Sequence, residues 1–274
     1  MKISDKEALL RKRISERGSM LVAYSGGVDS GLLAYLAHIL LKEKSRCVLL
    51  DSPLVPREAV KEAELIAGDL GLALEIMPAP HLESESFRKN PAERCYHCKK
   101  ISARILKERA RELGIGFIAD GLNISDTGEH RPGIRAGDEE GIIHPFIEAG
   151  ITKEDIRSIA RVNRLTFWDK PSSACLSSRI PYGEEITTGK LAMIEKAEAF
   201  LHQLGVRQLR VRSHATVARI EADKEGMDTV FIHRDEVVSA LKAIGFTYVA
   251  LDLKGYRSGS MDETHSDNNV LGVQ

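Results

Sequence analysis

Short apolar runs and amphipathic stretches alternate along the first half of the chain. The sequence predicts strands at 20–24, 46–51, 73–77 and 116–120. The spacing of apolar positions predicts helices at 31–43, 57–70 and 99–113. Strands that alternate with crossover helices indicate a mostly parallel sheet with helices on both faces. We therefore expect an α/β fold whose ligands bind where the strands end.

A smaller α/β unit is predicted in the second half of the chain. Thr152 opens a Thr-x-x-acid helix start, and that helix ends near residue 163. Further helices are predicted near 188–204 and 235–243, and strands near 208–212, 218–221 and 247–253. We expect residues 1–165 to form the first domain and 166–262 the second. The polar, aperiodic residues 263–274 are expected to form a flexible tail.

The charge of the chain is almost balanced. It has 39 Lys and Arg against 40 Asp and Glu, a formal net charge of −1. This balance gives no overall positive field, so we do not expect a nucleic-acid partner. The longest nearly apolar run, 31–41, is much shorter than the roughly 20 residues that cross a bilayer. Residues 1–18 form a charged helical pattern without a signal peptide's apolar core, so a cytoplasmic protein without a membrane partner is expected.

Six residues between the first predicted strand and its helix form a candidate phosphate site. They are Ser25-Gly26-Gly27-Val28-Asp29-Ser30. Backbone N–H groups at a helix N-terminus bind anions, and glycines let a phosphate come close to the backbone. A tight turn with Ser as an ordinary N-cap is the alternative interpretation. The sequence has no Gly-x-x-x-x-Gly-Lys-Ser/Thr motif, which argues against a Walker-type NTPase.

Two further strand ends carry polar side chains that we assign to the same candidate site. Asp51 closes the second predicted strand, and Asn123 and Asp126 follow the fourth. Because carboxyl ends of parallel strands share one edge of a sheet, these residues should face the phosphate loop. Carboxylate oxygens suit Mg²⁺, so Asp126 is a candidate magnesium ligand. An Asx-rich turn is the alternative interpretation for Asn123 and Asp126.

Three of the four cysteines are candidates for chemistry. Cys95 and Cys98 form a Cys-x-x-Cys pair just before the predicted basic helix. Such a pair is compatible with half a zinc site, a redox dithiol, two cluster ligands or two ordinary cysteines. Cys175 lies in a polar loop with Lys170 and Arg179 nearby, which favours an accessible thiolate. Cys47 lies in an apolar strand and is expected to be a small core residue.

A pair of arginines follows in the second domain. Arg210 and Arg212 share one face of a predicted strand because strand side chains repeat every two residues. Two guanidinium groups suit a phosphate or a carboxylate, although a solvated face is an equal alternative. Glu198 and Glu221 are weaker carboxylate candidates. We assign these four residues and Arg179 to substrate binding.

The hexapeptide resembles the PP-loop of the ATP pyrophosphatase superfamily, and the motifs together resemble one subfamily, the LarE-type sulfur transferases. The resemblance runs from about Leu21 to Glu263. Besides the hexapeptide, its marks are Asn90-Pro91-x-x-Arg94-Cys95-Tyr96-His97-Cys98-Lys99, Arg131-Pro132-Gly133, Ser173-Ala174-Cys175-Leu176-Ser177-Ser178-Arg179, Arg210-Val211-Arg212 and Gly255-Tyr256-Arg257-x-Gly259-Ser260-Met261. Leu122 and Ser125 stand where relatives are expected to carry Thr and Asp.

The resemblance implies an ATP-dependent sulfurtransferase of nickel-pincer cofactor biosynthesis. ATP, with Mg²⁺, would adenylylate a carboxylate of a pyridinium-3,5-biscarboxylate mononucleotide, and sulfur would then displace AMP. Family members either sacrifice a loop cysteine, which becomes dehydroalanine, or hold a 4Fe-4S cluster on three cysteines. Because all three are present, we expect a cluster on Cys95, Cys98 and Cys175 rather than sacrifice of Cys175.

Two other functions fit parts of this pattern. A PP-loop tRNA thiolase would use the same adenylylation and the same three cysteines, but the balanced charge counts against RNA binding. A zinc-stabilised nucleotide-binding module without catalysis would use the cysteines structurally, with His97 as a further ligand. We also expect the protein to form a homo-oligomer.

Overall fold

The computed structural model describes residues 2–127, 132–171, 174–257 and 260–261. The chain divides into two compact units. Unit 1 comprises Met1–Phe87 and Ala92–Ser173, and unit 2 comprises Arg88–Pro91 and Ala174–Gln274. The division differs from the expected boundary at residue 165, because the next eight positions, 166–173, also belong to unit 1. The tail expected at 263–274 lies outside the described residues.

Unit 1 is built on a four-stranded sheet. Its strands are β1 (Met20–Ala23), β2 (Ser45–Asp51), β3 (Leu74–Pro78) and β4 (Ile118–Ala119). They lie in the order β3-β2-β1-β4, and every neighbouring pair is parallel. The predicted parallel sheet is therefore confirmed, and the loops after all four strands leave from the same edge.

Helices pack against both faces of this sheet. The helices in this part of the chain are α1 (Ile3–Arg17), α2 (Val28–Leu41), α3 (Arg57–Asp69), α4 (Glu85–Arg88), α5 (Arg94–Glu112), α6 (Pro132–Glu139), α7 (Pro145–Glu148) and α8 (Lys153–Val162). Val22 and Cys47 face one buried cluster, with residues of α1, α2, α3 and α8. Leu21 and Val48 face a second, with Leu106 of α5. This alternation is the period of two expected for strands that are buried on both faces.

Local sequence signals place the ends of several helices. The Thr152 hydroxyl accepts a hydrogen bond from the Asp155 N–H at 3.2 Å, and an Asp155 carboxylate oxygen accepts one from the Thr152 N–H at 3.0 Å. This capping box starts α8, as the sequence predicts. Within the part of the chain that is described, no helix is long and apolar enough to span a membrane.

Unit 2 contains a three-stranded sheet with helices on its apolar face. Its elements are α9 (Thr188–Gln203), β5 (Leu209–His214), β6 (Val217–Ala222), α10 (Lys224–Ile232), α11 (Arg234–Ile244) and β7 (Tyr248–Leu251). β6 is central, antiparallel to β5 and parallel to β7. Val211 and Ile220 belong to the core with Leu201 and Leu241 of the helices. The intervening strand positions therefore form a separate, polar face.

Residues 88–91 belong to unit 2, although unit 1 precedes and follows them. Asn90 is completely buried, and its amide nitrogen donates to the carbonyl oxygens of Ile180 at 3.2 Å and Pro181 at 2.6 Å. The Gly183 N–H donates to the Asn90 carbonyl at 2.8 Å. The Asn90-Pro91 part of the motif thus has a structural role, which is to anchor this short segment in unit 2.

Candidate functional site

The phosphate loop lies between β1 and the first turn of α2. The Ser30 hydroxyl is buried, 2.9 Å from the Ser25 hydroxyl, and accepts a hydrogen bond from the Ser25 N–H at 3.1 Å. It also lies within donating distance, 3.3 Å, of the Gly27 carbonyl. These contacts close the loop into a tight turn. Its N–H groups stand at a helix N-terminus, the position that proteins use for anions.

The two glycines of the loop do different things. Gly26 has a left-handed φ of +70°, and a Cβ there would come within 2.5 Å of the Ala63 Cβ and 2.8 Å of its Cα. Gly27 has φ of −79°, and a Cβ there would meet only the Ser25 hydroxyl, at 3.4 Å. Gly26 is therefore required by the fold of the loop. Gly27 leaves space that the protein itself does not fill.

Asp29 forms an ion pair with Lys153. The Lys153 ammonium lies 2.7 Å from one carboxylate oxygen of Asp29 and 2.6 Å from the other. Burial raises the pKa of Asp29 above its ordinary value, and the contact with Lys153 limits the rise. Sequence reasoning missed Lys153. A lysine in the first turn of a helix is unfavourable with respect to the helix dipole, and this is the signal that could have identified it.

Lys170 approaches the other end of the loop. Its ammonium donates to the Gly26 carbonyl at 3.0 Å and lies 2.8 Å from a carboxylate oxygen of Glu62. The sequence suggested Lys170 only as a neighbour of Cys175, whereas the structure places it in unit 1 against the phosphate loop. Asp51, at the end of β2, is paired with Arg57 at 2.6 Å.

The loop after β4 packs against the phosphate loop. A Cβ on Gly121 would lie 2.8 Å from the Ser30 nitrogen and 2.9 Å from the Asp29 carbonyl carbon, so only glycine fits. Asn123 and Asp126 bond to each other: an Asp126 oxygen accepts from the Asn123 N–H at 3.2 Å and from its amide at 2.7 Å. Both residues thus help to build the loop, as the Asx-turn interpretation allowed.

A network around the buried Asp120 lies at the end of β4, immediately before Gly121. The Asp120 carboxylate is 2.6 Å from the Lys99 ammonium and 2.7 Å from Nδ1 of His144, and His144 also contacts Asp138 at 3.1 Å. Despite the opposing effect of burial, Lys99 and His144 lower the pKa of Asp120 to about 2. The network connects α5 to the loop that packs on the phosphate loop.

The Cys-x-x-Cys pair lies inside α5 and not before it. The prediction that the helix starts at Lys99 is wrong, since α5 begins at Arg94 and holds Cys95 and Cys98 in its first turn and a half. Packing against α6 accounts for the difference: the Tyr96 hydroxyl donates to Glu139 at 2.6 Å, and the Arg135 guanidinium lies 4.6 Å from the Tyr96 ring centre. The Cys95 side chain is exposed and that of Cys98 is partly exposed.

Cys47 is a core residue, as expected. It is buried, and burial raises the pKa of its thiol to about 12, which disfavours a thiolate. Among the described residues, no three His, Cys, Asp or Glu side chains are grouped as metal ligands.

In unit 2, Cys175 is exposed at the start of a short turn that Arg179 stabilises. The Arg179 guanidinium is 2% exposed, makes two 3.0 Å contacts with Glu198, and donates to the carbonyl oxygens of Ala174 and Cys175 at 2.8 and 3.0 Å. The Cys175 thiol lies 3.0 Å from the Ser177 hydroxyl. Arg179 and Glu198, both assigned to substrate binding from the sequence, thus form a buried pair that holds the cysteine loop.

Arg210 and Arg212 share the polar face of the second sheet. The register places Glu221 opposite Arg210, but the Glu221 carboxylate contacts the diagonal neighbour Arg212 at 2.9 Å and also Arg219 at 3.1 Å. Diagonal pairs of this kind lie within reach of long side chains. Arg212 and Glu221 are buried. Arg210 is half-buried and has no carboxylate within 4.0 Å among the described residues.

Comparison with known proteins gives consistent matches. A family model described as NAD synthase matches residues 2–119. An uncharacterised Synechocystis protein is 39% identical over 92% of this chain and 95% of its own length. The pyridinium-3,5-bisthiocarboxylic acid mononucleotide synthase of Lactiplantibacillus plantarum is 33% identical over 96% of this chain and 95% of its own length. An uncharacterised protein of Methanocaldococcus jannaschii is 32% identical over 87% of this chain and 91% of its own length.

The match to the Lactiplantibacillus synthase spans the sequences of both units. The parallel sheet and the loop between β1 and α2 are those expected of a PP-loop enzyme. This chain therefore belongs to the LarE-type sulfur transferases of the PP-loop ATP pyrophosphatase superfamily and is an ATP-dependent sulfurtransferase.

Proposed function

We propose that this enzyme uses ATP to replace a carboxylate oxygen of pyridinium-3,5-biscarboxylate mononucleotide by sulfur. The observation that carries the proposal is the similarity to a protein named as the synthase of the corresponding bisthiocarboxylic acid, over 96% of this chain. The open space at Gly27 supports a nucleotide phosphate at the loop. The partly buried Arg210 supports an anionic substrate.

The chemistry requires activation before sulfur transfer. A carboxylate oxygen attacks the α-phosphorus of ATP, the bond between the α-phosphorus and the bridging oxygen breaks, and pyrophosphate leaves. The resulting acyl adenylate is an electrophile because AMP is a good leaving group. A sulfur nucleophile then attacks the carbonyl carbon, the bond to AMP breaks, and a thiocarboxylate remains.

In the proposed site, the phosphate loop binds the ATP phosphates. The N–H groups at the start of α2 and the hydroxyls of Ser25 and Ser30 donate hydrogen bonds to them. Mg²⁺ commonly binds through one or two protein carboxylates together with substrate phosphates. A magnesium site beside the ATP phosphates would therefore not need three protein ligands. We assign this role to Asp29 and Asp126, whose charges interact. The contact with Lys153 favours the ionised form of Asp29.

We propose that the sulfur comes from a 4Fe-4S cluster ligated by Cys95, Cys98 and Cys175. Cys95 and Cys98 lie one helical turn apart and are both accessible, as paired cluster ligands must be. Held by these three thiolates, such a cluster would supply a sulfide for the transfer. In this proposal Arg179 holds the Cys175 loop in place by its two backbone contacts.

The substrate's anionic group is assigned to Arg210. Burial, followed by the charge of Arg179, lowers the pKa of Arg210, so an incoming anion would relieve an unfavourable charge. Arg212 and Glu221 are assigned a supporting role because their charged groups are already paired with each other.

Homo-oligomerisation stays a prediction, which light scattering of the purified protein can test.

The test uses anaerobically purified enzyme with ATP, Mg²⁺ and pyridinium-3,5-biscarboxylate mononucleotide. We expect pyrophosphate release that depends on the nucleotide, a product in which sulfur replaces one oxygen, and protein-bound iron and sulfide. Unmodified tRNA serves as the competing acceptor. Pyrophosphate release with tRNA but none with the mononucleotide would overturn the substrate assignment, and zinc without iron would overturn the cluster.

A further inference from the structure

Five described residues after β7, 255–257 and 260–261, lie against the polar face of the second sheet. They belong to the motif Gly255-Tyr256-Arg257-x-Gly259-Ser260-Met261, to which the proposed function gives no chemical role. The Tyr256 N–H donates to the Ala222 carbonyl at the end of β6, at 2.8 Å. Gly255 has φ of +69°, and a Cβ there would approach the same carbonyl to 2.8 Å. The backbone at Tyr256 is therefore held firmly against β6.

Three side chains of this segment each contact a different arginine of the sheet. The Tyr256 ring centre lies 5.3 Å from the Arg210 guanidinium. The Ser260 hydroxyl donates to a Glu221 oxygen at 2.7 Å and accepts from Arg212 at 2.9 Å. The Met261 sulfur accepts from Arg219 at 3.6 Å. The segment thus supplies each arginine with a neighbour that carries no negative charge.

Among the described residues, Arg210 has no carboxylate within 4.0 Å, and this distinguishes it from the arginines around it. Arg179 is paired with Glu198, Arg212 with Glu221, and Arg219 with both Glu221 and Asp252. Among the described residues, the Arg210 guanidinium donates to the Leu209 carbonyl at 2.6 Å and lies over the face of Tyr256, and Glu198 acts on it through its charge without forming an ion pair within 4.0 Å. An aromatic face attracts a cation without neutralising it. Arg210 is therefore held in place while its charge stays available.

We propose that Tyr256 and Ser260 are positioning residues for the anionic substrate, Tyr256 through Arg210 and Ser260 through Arg212 and Glu221. This inference rests on the proposed function, in which Arg210 binds an anionic group of the nucleotide. Holding a long side chain in its binding rotamer reduces the conformational entropy lost on binding. Loss of the Tyr256 ring should therefore weaken substrate binding without affecting ATP.

The experiment measures, by calorimetry and without ATP, the binding of pyridinium-3,5-biscarboxylate mononucleotide to the full-length enzyme. Tyr256→Leu should raise the dissociation constant about 3- to 10-fold, and Tyr256→Phe should retain wild-type affinity because the ring face remains. Tyr248→Leu is the matched control, since Tyr248 is a 65% exposed tyrosine of β7. ATP binding should be unchanged in all three variants.

Ser260→Ala provides a second, independent readout, because it removes one donor from the buried Glu221 and one acceptor from Arg212. We expect a raised KM for the mononucleotide with an unchanged KM for ATP. If wild-type enzyme does not bind the mononucleotide, the proposed function fails. If wild type binds it and both Tyr256→Leu and Ser260→Ala bind it equally well, this inference alone is wrong. Equal losses in the Tyr256→Leu and Tyr256→Phe variants would also overturn it.

Discussion

The ammonium of Lys153 lies within 2.7 Å of both carboxylate oxygens of Asp29, across the first turns of two helices that are separate in sequence. Asp29 is part of the phosphate loop, and burial opposes its ionisation. Lys153 therefore favours a negative charge on Asp29, next to the site where the ATP phosphates and Mg²⁺ are proposed to bind.

Replacement of Lys153 tests this relationship. Lys153→Met removes the contact that lowers the pKa of Asp29, so that pKa should rise further. We expect the acid limb of the pH profile for pyrophosphate release to move to higher pH, with a loss of rate of about 10-fold near neutral pH. Steady-state pyrophosphate assays from acidic to alkaline pH would measure both effects. An unshifted acid limb would separate Lys153 from the ionisation of Asp29.

The two loop glycines should respond differently to alanine. Gly26→Ala places a side chain at positive φ and against Ala63, so we expect a loss of about 2 to 4 kcal/mol in unfolding free energy. Gly27→Ala should change stability by less than about 0.5 kcal/mol but should reduce ATP-dependent pyrophosphate release about 100-fold. Urea unfolding and pyrophosphate assays on the same samples provide the comparison. Full activity in Gly27→Ala would exclude a phosphate contact at that position.

Cysteine variants distinguish the two sulfur donors. With a cluster, Cys95→Ala and Cys98→Ala should lose iron and sulfur transfer while retaining adenylylation, because the phosphate loop is unaffected. With a sacrificial cysteine, these variants should still complete one turnover. Intact-mass spectrometry of wild-type enzyme after turnover decides: we expect an unchanged polypeptide mass. Loss of one hydrogen sulfide molecule at Cys175 would contradict the cluster. Cys47→Ala, in the core, is the control for the loss of a thiol.

The arginines of unit 2 should separate into structural and binding residues. Arg179→Met leaves the carboxylate of Glu198 buried without its partner, so we expect a loss of about 3 to 5 kcal/mol in unfolding free energy. Arg210→Met removes no ion pair between described residues and should leave stability nearly unchanged, while mononucleotide affinity falls by about 1.5 to 3 kcal/mol. Denaturant unfolding and calorimetry measure the two quantities. Normal stability in Arg179→Met would contradict the buried pair.

His144 should make the stability of the protein depend on pH. Burial alone would lower the pKa of His144, but Asp120 and Asp138 raise it above its ordinary value of 6.5. Because the pKa of His144 is raised in the folded state, protonated His144 stabilises the protein fully below pH 6.5. This stabilisation is lost as the pH rises through the folded-state pKa of His144. The stability difference between wild type and His144→Gln should therefore shrink as the pH rises from mildly acidic to alkaline. Thermal unfolding across this range would reveal a constant difference if the imidazolium does not contribute.

The sheet was predictable because its signals are local and repeated. Short apolar strands separated by amphipathic helices indicate a parallel sheet, and the loop Ser25-Gly26-Gly27 lies at the edge where such a sheet binds anions. The start of α5 was not predictable, since the turn that carries Cys95 is stabilised by α6, whose Glu139 lies 43 positions after Tyr96 in the chain. Local propensity gives no information about such tertiary contacts.

Arg210 and Arg212 also show which features can be predicted from the sequence and which cannot. The sequence placed Arg210 and Arg212 on one strand face, because that depends only on the period of two. The sequence could not indicate which of them is paired, because the partner of Arg212 is set by a diagonal contact across β5 and β6.

The role of Gly121 could not be predicted from the sequence either, since its neighbour Ser30 is far away in the chain.

The burial of Asn90 among carbonyl oxygens of residues 180–181 has a consequence for how the protein can be dissected. Division of the chain at one position cannot separate the two units. A fragment that ends at residue 173 contains Asn90, whereas the complementary fragment contains the carbonyl oxygens of residues 180–181 that accept hydrogen bonds from Asn90. The second fragment would expose these acceptors and lose the support of its turn at Gly183. The order of synthesis has the same consequence. Residues 88–91 leave the ribosome before residues 174–274, so unit 2 can fold only after the later residues are synthesised. A fragment of residues 174–274 therefore lacks four residues, 88–91, that are part of unit 2.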